Sequence, residues 1–143
     1  MSSNTISSMK IEVKSGGTLA ELQKSFNDKF PYLKIEFFTQ PHEKGKATSN
    51  KFLVNSTRKL SEFISDNSAV IVDIDGEMKV SALEKMFADN YGLYIQVFRR
   101  SGKIWLETTA TDDWTLETQN EEGRDFTNTT KEEGDIQDYH EQE

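Results

Sequence analysis

The chain has 143 residues, 34% of them hydrophobic and 29% charged, with a formal net charge of −8 and no cysteine. That length suits one domain, or two at most. No apolar run approaches the ~20 residues of a membrane span, and the missing cysteine excludes disulfide scaffolds, thiolate metal sites and cysteine nucleophiles.

The charge is unevenly placed. Residues 1–108 carry 15 basic and 13 acidic side chains, whereas residues 109–143 carry two basic and 12 acidic ones. Hydrophobic residues are 40 of the 99 from position 10 to 108, but 6 of the 35 from 109 onward. The first segment can bury enough apolar surface to offset chain entropy, and the last cannot. The sequence thus predicts a disordered arm over residues 1–9, one α+β domain over 10–108, a short packed extension over 109–120 and an acidic disordered tail over 121–143. The arm lacks the basic and apolar regions of a signal peptide, so the expected location is cytoplasmic.

In chain order, KIEV from Lys10 reads as a strand. Leu19, Leu22, Phe26 and Phe30 then form a helical apolar stripe, with Thr18 and Glu21 spaced as a capping box and Pro31 as the stop. Residues 33–38 alternate as a strand, expected to pair with 52–54 across the polar loop 39–51. A short linking helix is predicted over 56–66, with Leu60, Phe63 and Ile64 on one face and Ser56 or Thr57 as cap. Val70, Val72 and Ile74 share one face of the next strand. Val80, Leu83, Phe87 and Tyr91 mark a second amphipathic helix, closed by Gly92 at the left-handed position after its end. Residues 93–98 and 103–107 then form a hairpin, and with Ser101-Gly102 as its loop Val97 opposes Leu106 and Phe98 opposes Trp105.

Two parts of this series match by type. At an offset of 61, Leu22 matches Leu83, Lys24 matches Lys85, Phe26 matches Phe87 and Asp28 matches Asp89. After Pro31-Tyr32 gives way to Gly92 the offset is 60, and Leu33, Ile35 and Phe37 match Leu93, Ile95 and Val97. The predicted architecture is α+β with duplicated βαββ units (repeat 1 over 10–55, linking helix 56–66, repeat 2 over 69–108). Antiparallel hairpins have their helices packed on one sheet face.

The string VFRRSGKIWLETTATDDWTLE, with the KVSALEKMF helix before it, resembles a family of small uncharacterised bacterial proteins. The resemblance implies a bacterial, cytoplasmic setting and brings no catalytic residues with it.

Chemistry is sparse. Asp73-Ile-Asp75-Gly76 suggests a calcium loop, but with Gly76 at position 6 the loop would have Ile71 at position 1 and Ala82 at position 12, so the motif fails. His42 lies in the polar loop without ligand spacing around it and reads as an ordinary exposed histidine. Ser61, Ser81 and Ser101 lack a nucleophile-elbow pattern, and Gly16-Gly17 is too short for a phosphate loop. No catalytic, cofactor-binding or metal-ligating set is assigned, and enzyme is the least supported class.

Strand parity supplies the candidate site. If Leu93, Ile95, Val97, Ile104 and Leu106 face the helices, the reverse face carries Tyr94, Gln96, Phe98, Arg100, Lys103, Trp105 and Glu107. Such a face is covered by Trp114 and Leu116 folding back, or binds a protein partner or second copy, or stacks bases. The binding residues expected are Tyr94, Phe98, Arg99, Arg100, Lys103 and Trp105. The leading expectation is a non-enzymatic protein-interaction module. A single-stranded nucleic-acid binder with a regulatory acidic tail is the alternative, and a small-ligand carrier or enzyme comes third. Lys44, Lys46 and Lys51 on the other loop favour nucleic acid, but a near-neutral body does not.

Overall fold

The computed structural model describes residues 9–13, 16–42, 46, 48–63 and 70–132. Its elements run β1 (Met9–Val13), α1 (Leu19–Lys29), β2 (Leu33–Phe38), β3 (Val70–Ile74), α2 (Val80–Tyr91), β4 (Tyr94–Ser101), β5 (Ile104–Glu107) and α3 (Leu116–Glu132). The class is α+β, with two antiparallel sheets ordered β1-β3 and β2-β4-β5. Among the described residues no helix is long and apolar enough to cross a membrane.

The apolar stripes do what their periodicity requires. Leu19, Leu22, Phe26 and Phe30 of the first helix and Val80, Leu83 and Phe87 of the second are buried in one core with Leu33, Ile35, Phe37, Leu93, Ile95 and Val97. Ile11, Val13, Val72 and Ile74 close the core from the smaller sheet, whose outward Ile71 is 57% exposed. Gly92 has a φ of 66° and ends α2 in the left-handed conformation that favours glycine.

The first N–H groups of each helix have no partner within the helix. Backbone supplies them here. Leu19 and Ala20 N–H donate to the Arg58 and Ser56 carbonyls at 3.0 and 2.9 Å, and Leu60 N–H returns a bond to the Gly17 carbonyl at 3.0 Å. In α2, Val80 and Ser81 N–H donate to the Trp114 and Asp112 carbonyls at 3.0 and 2.7 Å, and Leu116 N–H returns one to Met78 at 2.9 Å. The residues at the two helix starts stand 61 positions apart (Gly17 and Met78, Leu19 and Val80, Ala20 and Ser81), and those of the segments that meet them 56 apart (Ser56 and Asp112, Arg58 and Trp114, Leu60 and Leu116). The Thr18 N–H also reaches the Glu21 carboxylate at 3.4 Å, as the box spacing predicts.

Several expectations are corrected. β2 pairs along its length with β4, not with 52–54. The latter contributes a single Phe38–Leu53 bridge, with Val54 N–H donating to the Phe37 carbonyl at 2.8 Å. Among the described residues of the linking helix, only one tight turn, Leu60–Glu62, is helical, preceded by Lys59 rather than Ser56 or Thr57, because the Ser56 and Arg58 carbonyls are engaged in capping α1. The hairpin turns at Gly102-Lys103, so Arg99 opposes Leu106 and Arg100 opposes Trp105. Gly102, with φ 65°, takes the positive-φ place at the turn's first position, and because the shift is by two residues Phe98, Arg100 and Trp105 stay on one face.

The largest correction concerns the tail. Residues 116–132 form α3, with Leu116, Gln119, Gly123 and Thr127 buried on one face. The charged residues Glu117, Glu121, Glu122, Arg124 and Asp125 are exposed around the rest of it. Composition averaged over the segment hides this narrow 3–4-spaced stripe. Residues 1–8 of the expected arm, 64–66 of the linking helix and 133–143 of the tail lie outside the described residues.

Candidate functional site

Arg99 departs most from its expected role. It points to the helix side of the sheet, is 3% exposed, donates through Nη1 to Gln119 Oε1 at 2.9 Å and lies 5.8 Å from the centre of the Trp114 ring. Trp114 and Leu116 consequently pack on the side opposite the aromatic face and do not cover it. The remaining sequence-derived residues divide. Phe98, Arg100 and Trp105 share the open sheet face, Lys103 stands at the turn, and Tyr94 lies over the side of α2. Lys34 of β2 joins the face, its Nζ 5.3 Å from the Phe98 ring centre and 5.2 Å from that of Trp105, while bonded to Glu36 at 3.3 Å. The aromatic pair is thus partly covered by the protein's own lysine.

The structure also assembles a group that strand parity does not reveal. On α2, Ser81, Glu84, Lys85 and Ala88 fall on one side at helical spacing. This side faces Tyr94 and Ile95 of β4 across a cleft of about 410 Å³. Pro41 and His42 close it from the loop after β2, and Asp112 from the segment after β5. Each wall is held locally. The Ser81 N–H to Asp112 carbonyl bond ties the Asp112 segment to the helix start, and His42 Nε2 donates to Glu84 Oε1 at 3.0 Å. The His42 and Glu84 side chains are 11% and 15% exposed, so His42 is not the exposed histidine expected from its loop.

Burial pushes the Glu84 carboxyl above the usual carboxylate range; the hydrogen bond and charge of His42 oppose that rise, and the charge of Asp112 adds to it. One ligand atom from each of His42, Glu84 and Asp112 lies within 4.8 Å of the others. These three atoms come from three segments and are close enough to share one small cation.

A second cleft, of about 350 Å³, lies in the equivalent place beside α1. Its walls include Ala20, Gln23, Lys24, Asn27 and Ile35, which stand 61 or 60 positions before Ser81, Glu84, Lys85, Ala88 and Ile95. Trp105 lines it where His42 lines the other. Gln23 Nε2 donates to the Ile35 carbonyl at 2.9 Å and to Glu36 Oε1 at 3.3 Å, and Asn27 Nδ2 to the Leu33 carbonyl at 2.8 Å. Those amides satisfy the free edge of β2. On α2 the side chain of Glu84 meets His42 instead.

Glu84 and Asp112 were missed in the sequence because nothing in their spacing links them to each other or to His42. The usable signal was the 61-residue offset, which aligns Glu84 with Gln23 and marks an amide replaced by an acid. No protein-family model, curated protein or solved structure matches the chain.

Proposed function

We propose that the protein is a non-enzymatic binding module whose ligand occupies the α2–β4 cleft. The observation that carries this reading is the convergence of His42, Glu84 and Asp112 from three segments on one recess. A concave site with a few convergent polar groups and a perturbed acid is where ligands are held. Two carboxylates facing one imidazole favour a ligand that brings positive charge. We take the setting to be bacterial and cytoplasmic. We also take the two halves to descend from one duplicated unit, supported by the paired capping bonds and the paired clefts.

The test is a titration of the ¹⁵N-labelled chain with three probes: n-butylammonium, guanidinium and Zn²⁺. At least one should shift the amides of His42, Ser81, Glu84, Tyr94 and Asp112. If none does so at millimolar concentration, the reading fails.

A second reading uses the open face, where Lys34 lies against Phe98 and Trp105 beside Arg100; aromatic residues and Arg are enriched at protein interfaces. Under it, the Trp105 indole signal moves on dilution of the protein or on addition of a partner, while the cleft amides stay still. Nucleic acid is the weaker occupant of that face. Arg99 is committed to Gln119, Lys34 is bonded to Glu36, and α3 brings exposed acids. Absence of salt-dependent oligonucleotide binding removes it.

A further inference from the structure

We propose that the α2–β4 cleft is a mononuclear site for a divalent first-row transition ion, Zn²⁺ foremost, ligated by His42, Glu84 and Asp112. The inference rests on the reading of that cleft as the binding site and names its occupant. Three observations converge on it.

The first is geometry. Bonds of about 2.0–2.2 Å place ligand atoms roughly 3.0–3.5 Å apart around a shared ion. Here His42 Nε2 and Glu84 Oε1 are already 3.0 Å apart, and all three ligand atoms lie within 4.8 Å of one another. Closing the widest gap needs side-chain adjustment of about 1 Å and no rearrangement of the helix or strand.

Ligand chemistry is the second. One imidazole and two carboxylates carry two negative charges when the imidazole is neutral, which matches a dication. The imidazole nitrogen disfavours Ca²⁺ and Mg²⁺, which prefer all-oxygen cages, and favours the zinc and iron class. Three protein ligands leave coordination positions open toward a cleft of about 410 Å³, room for water or a small donor.

The third comes from the cleft beside α1. It has the same helix and strand frame, yet the position equivalent to Glu84 is Gln23, its amide is spent on a strand carbonyl, and no histidine lines it. The α1 cleft does hold an acid, Glu36, but that carboxylate is taken up by Gln23 and Lys34, whereas Glu84 faces a histidine. A core-supporting role alone is filled by an amide there. In the α2 cleft the helix side chain at that place meets His42, with Asp112 close by, instead of a strand carbonyl.

The experiment is isothermal titration of the full chain with Zn²⁺, paralleled by the visible spectrum of added Co²⁺ and its loss on displacement by Zn²⁺. One ion per chain is expected. His42→Ala, Glu84→Gln and Asp112→Asn should each weaken binding by more than about tenfold, the least that disturbing a metal's surroundings costs. His140→Ala should leave it unchanged. Glu84→Gln copies the amide of the α1 cleft, so its circular dichroism and melting curve show that loss of metal is not loss of fold. No Zn²⁺ binding, or binding that survives both Glu84→Gln and Asp112→Asn, or binding lost on His140→Ala overturns the proposal. If n-butylammonium shifts the cleft amides while Zn²⁺ does not, the metal assignment falls and the cleft reading stands. If no probe does, both fall.

Discussion

Glu84 sits where a helix residue faces the strand that follows it, and Gln23 occupies the same place in the first half of the chain. The amide gives two protons to strand and side-chain oxygens; the carboxylate gives none and is held above its usual range mainly by burial. An acid with a raised value binds its proton more tightly in the folded chain than in the unfolded one. Folded stability therefore falls as pH rises from the ordinary glutamate value through the raised one, and the whole cost is present above that. Glutamine does not titrate. Glu84→Gln should accordingly melt at a higher temperature than the parent at pH 7 in metal-free buffer, with the advantage gone below about pH 4, where glutamate is protonated in both states. A parent chain that is the more stable of the two at pH 7 would show that His42 already compensates the buried charge. The pair was illegible in the sequence for a physical reason. His42 and Glu84 are 42 positions apart, joined only because the loop after β2 folds over α2. By contrast, the faces of Phe98, Arg100 and Trp105 could be read directly, because side chains alternate along a strand whatever its register.

At the scale of elements, both long helices were legible as far as their caps, since a stripe at i, i+3 and i+4 needs no tertiary information. α3 was not. Four buried side positions, at 116, 119, 123 and 127, are carried among exposed acids, and two of them are Gln and Gly. Gly123 marks the closest approach. A Cβ there would lie 3.0 Å from Arg99 Cγ, 3.0 Å from Tyr32 Cβ and 3.2 Å from the Arg100 carbonyl oxygen. Tyr32 N–H donates to Asn120 Oδ1 at 2.9 Å, and Gly102 N–H to Thr127 Oγ1 at 3.1 Å, so neither side of the contact moves freely. In an exposed helix, Gly→Ala gains about 1 kcal/mol from propensity alone. At Gly123 the overpacking, typically about 1–3 kcal/mol, exceeds that gain. Urea unfolding of Gly123→Ala should therefore show a less stable chain, by about 1 kcal/mol. A more stable variant would mean that α3 hangs free of β4, as the composition of the tail alone suggests.

At the scale of the molecule, two of the strand ladders join the first half of the chain to the second. Each half supplies a βαβ series, but β1 pairs with β3 and β2 with β4, so these two ladders cross between halves. Ile11 opposes Val72, 61 positions on, and Glu36 opposes Gln96, 60 positions on. The core that holds Leu22, Phe26, Leu83 and Phe87 draws on both halves. Residues 1–66 alone would leave the core faces of β1 and β2 without partner strands. An unpaired pair of short strands with one helix buries too little surface to offset chain entropy. The two separately produced fragments, 1–66 and 67–143, should each give the circular dichroism of unfolded chain and should regain the intact spectrum on mixing at equal concentration. Mixing should also restore the α2–β4 cleft, because His42 belongs to one fragment and Glu84 and Asp112 to the other. If fragment 67–143 folds alone with a cooperative melt, the ladders between halves are not what holds the molecule together. The β4-β5 hairpin with α2 and α3 would then be the folding unit, and the first half would be an addition to it.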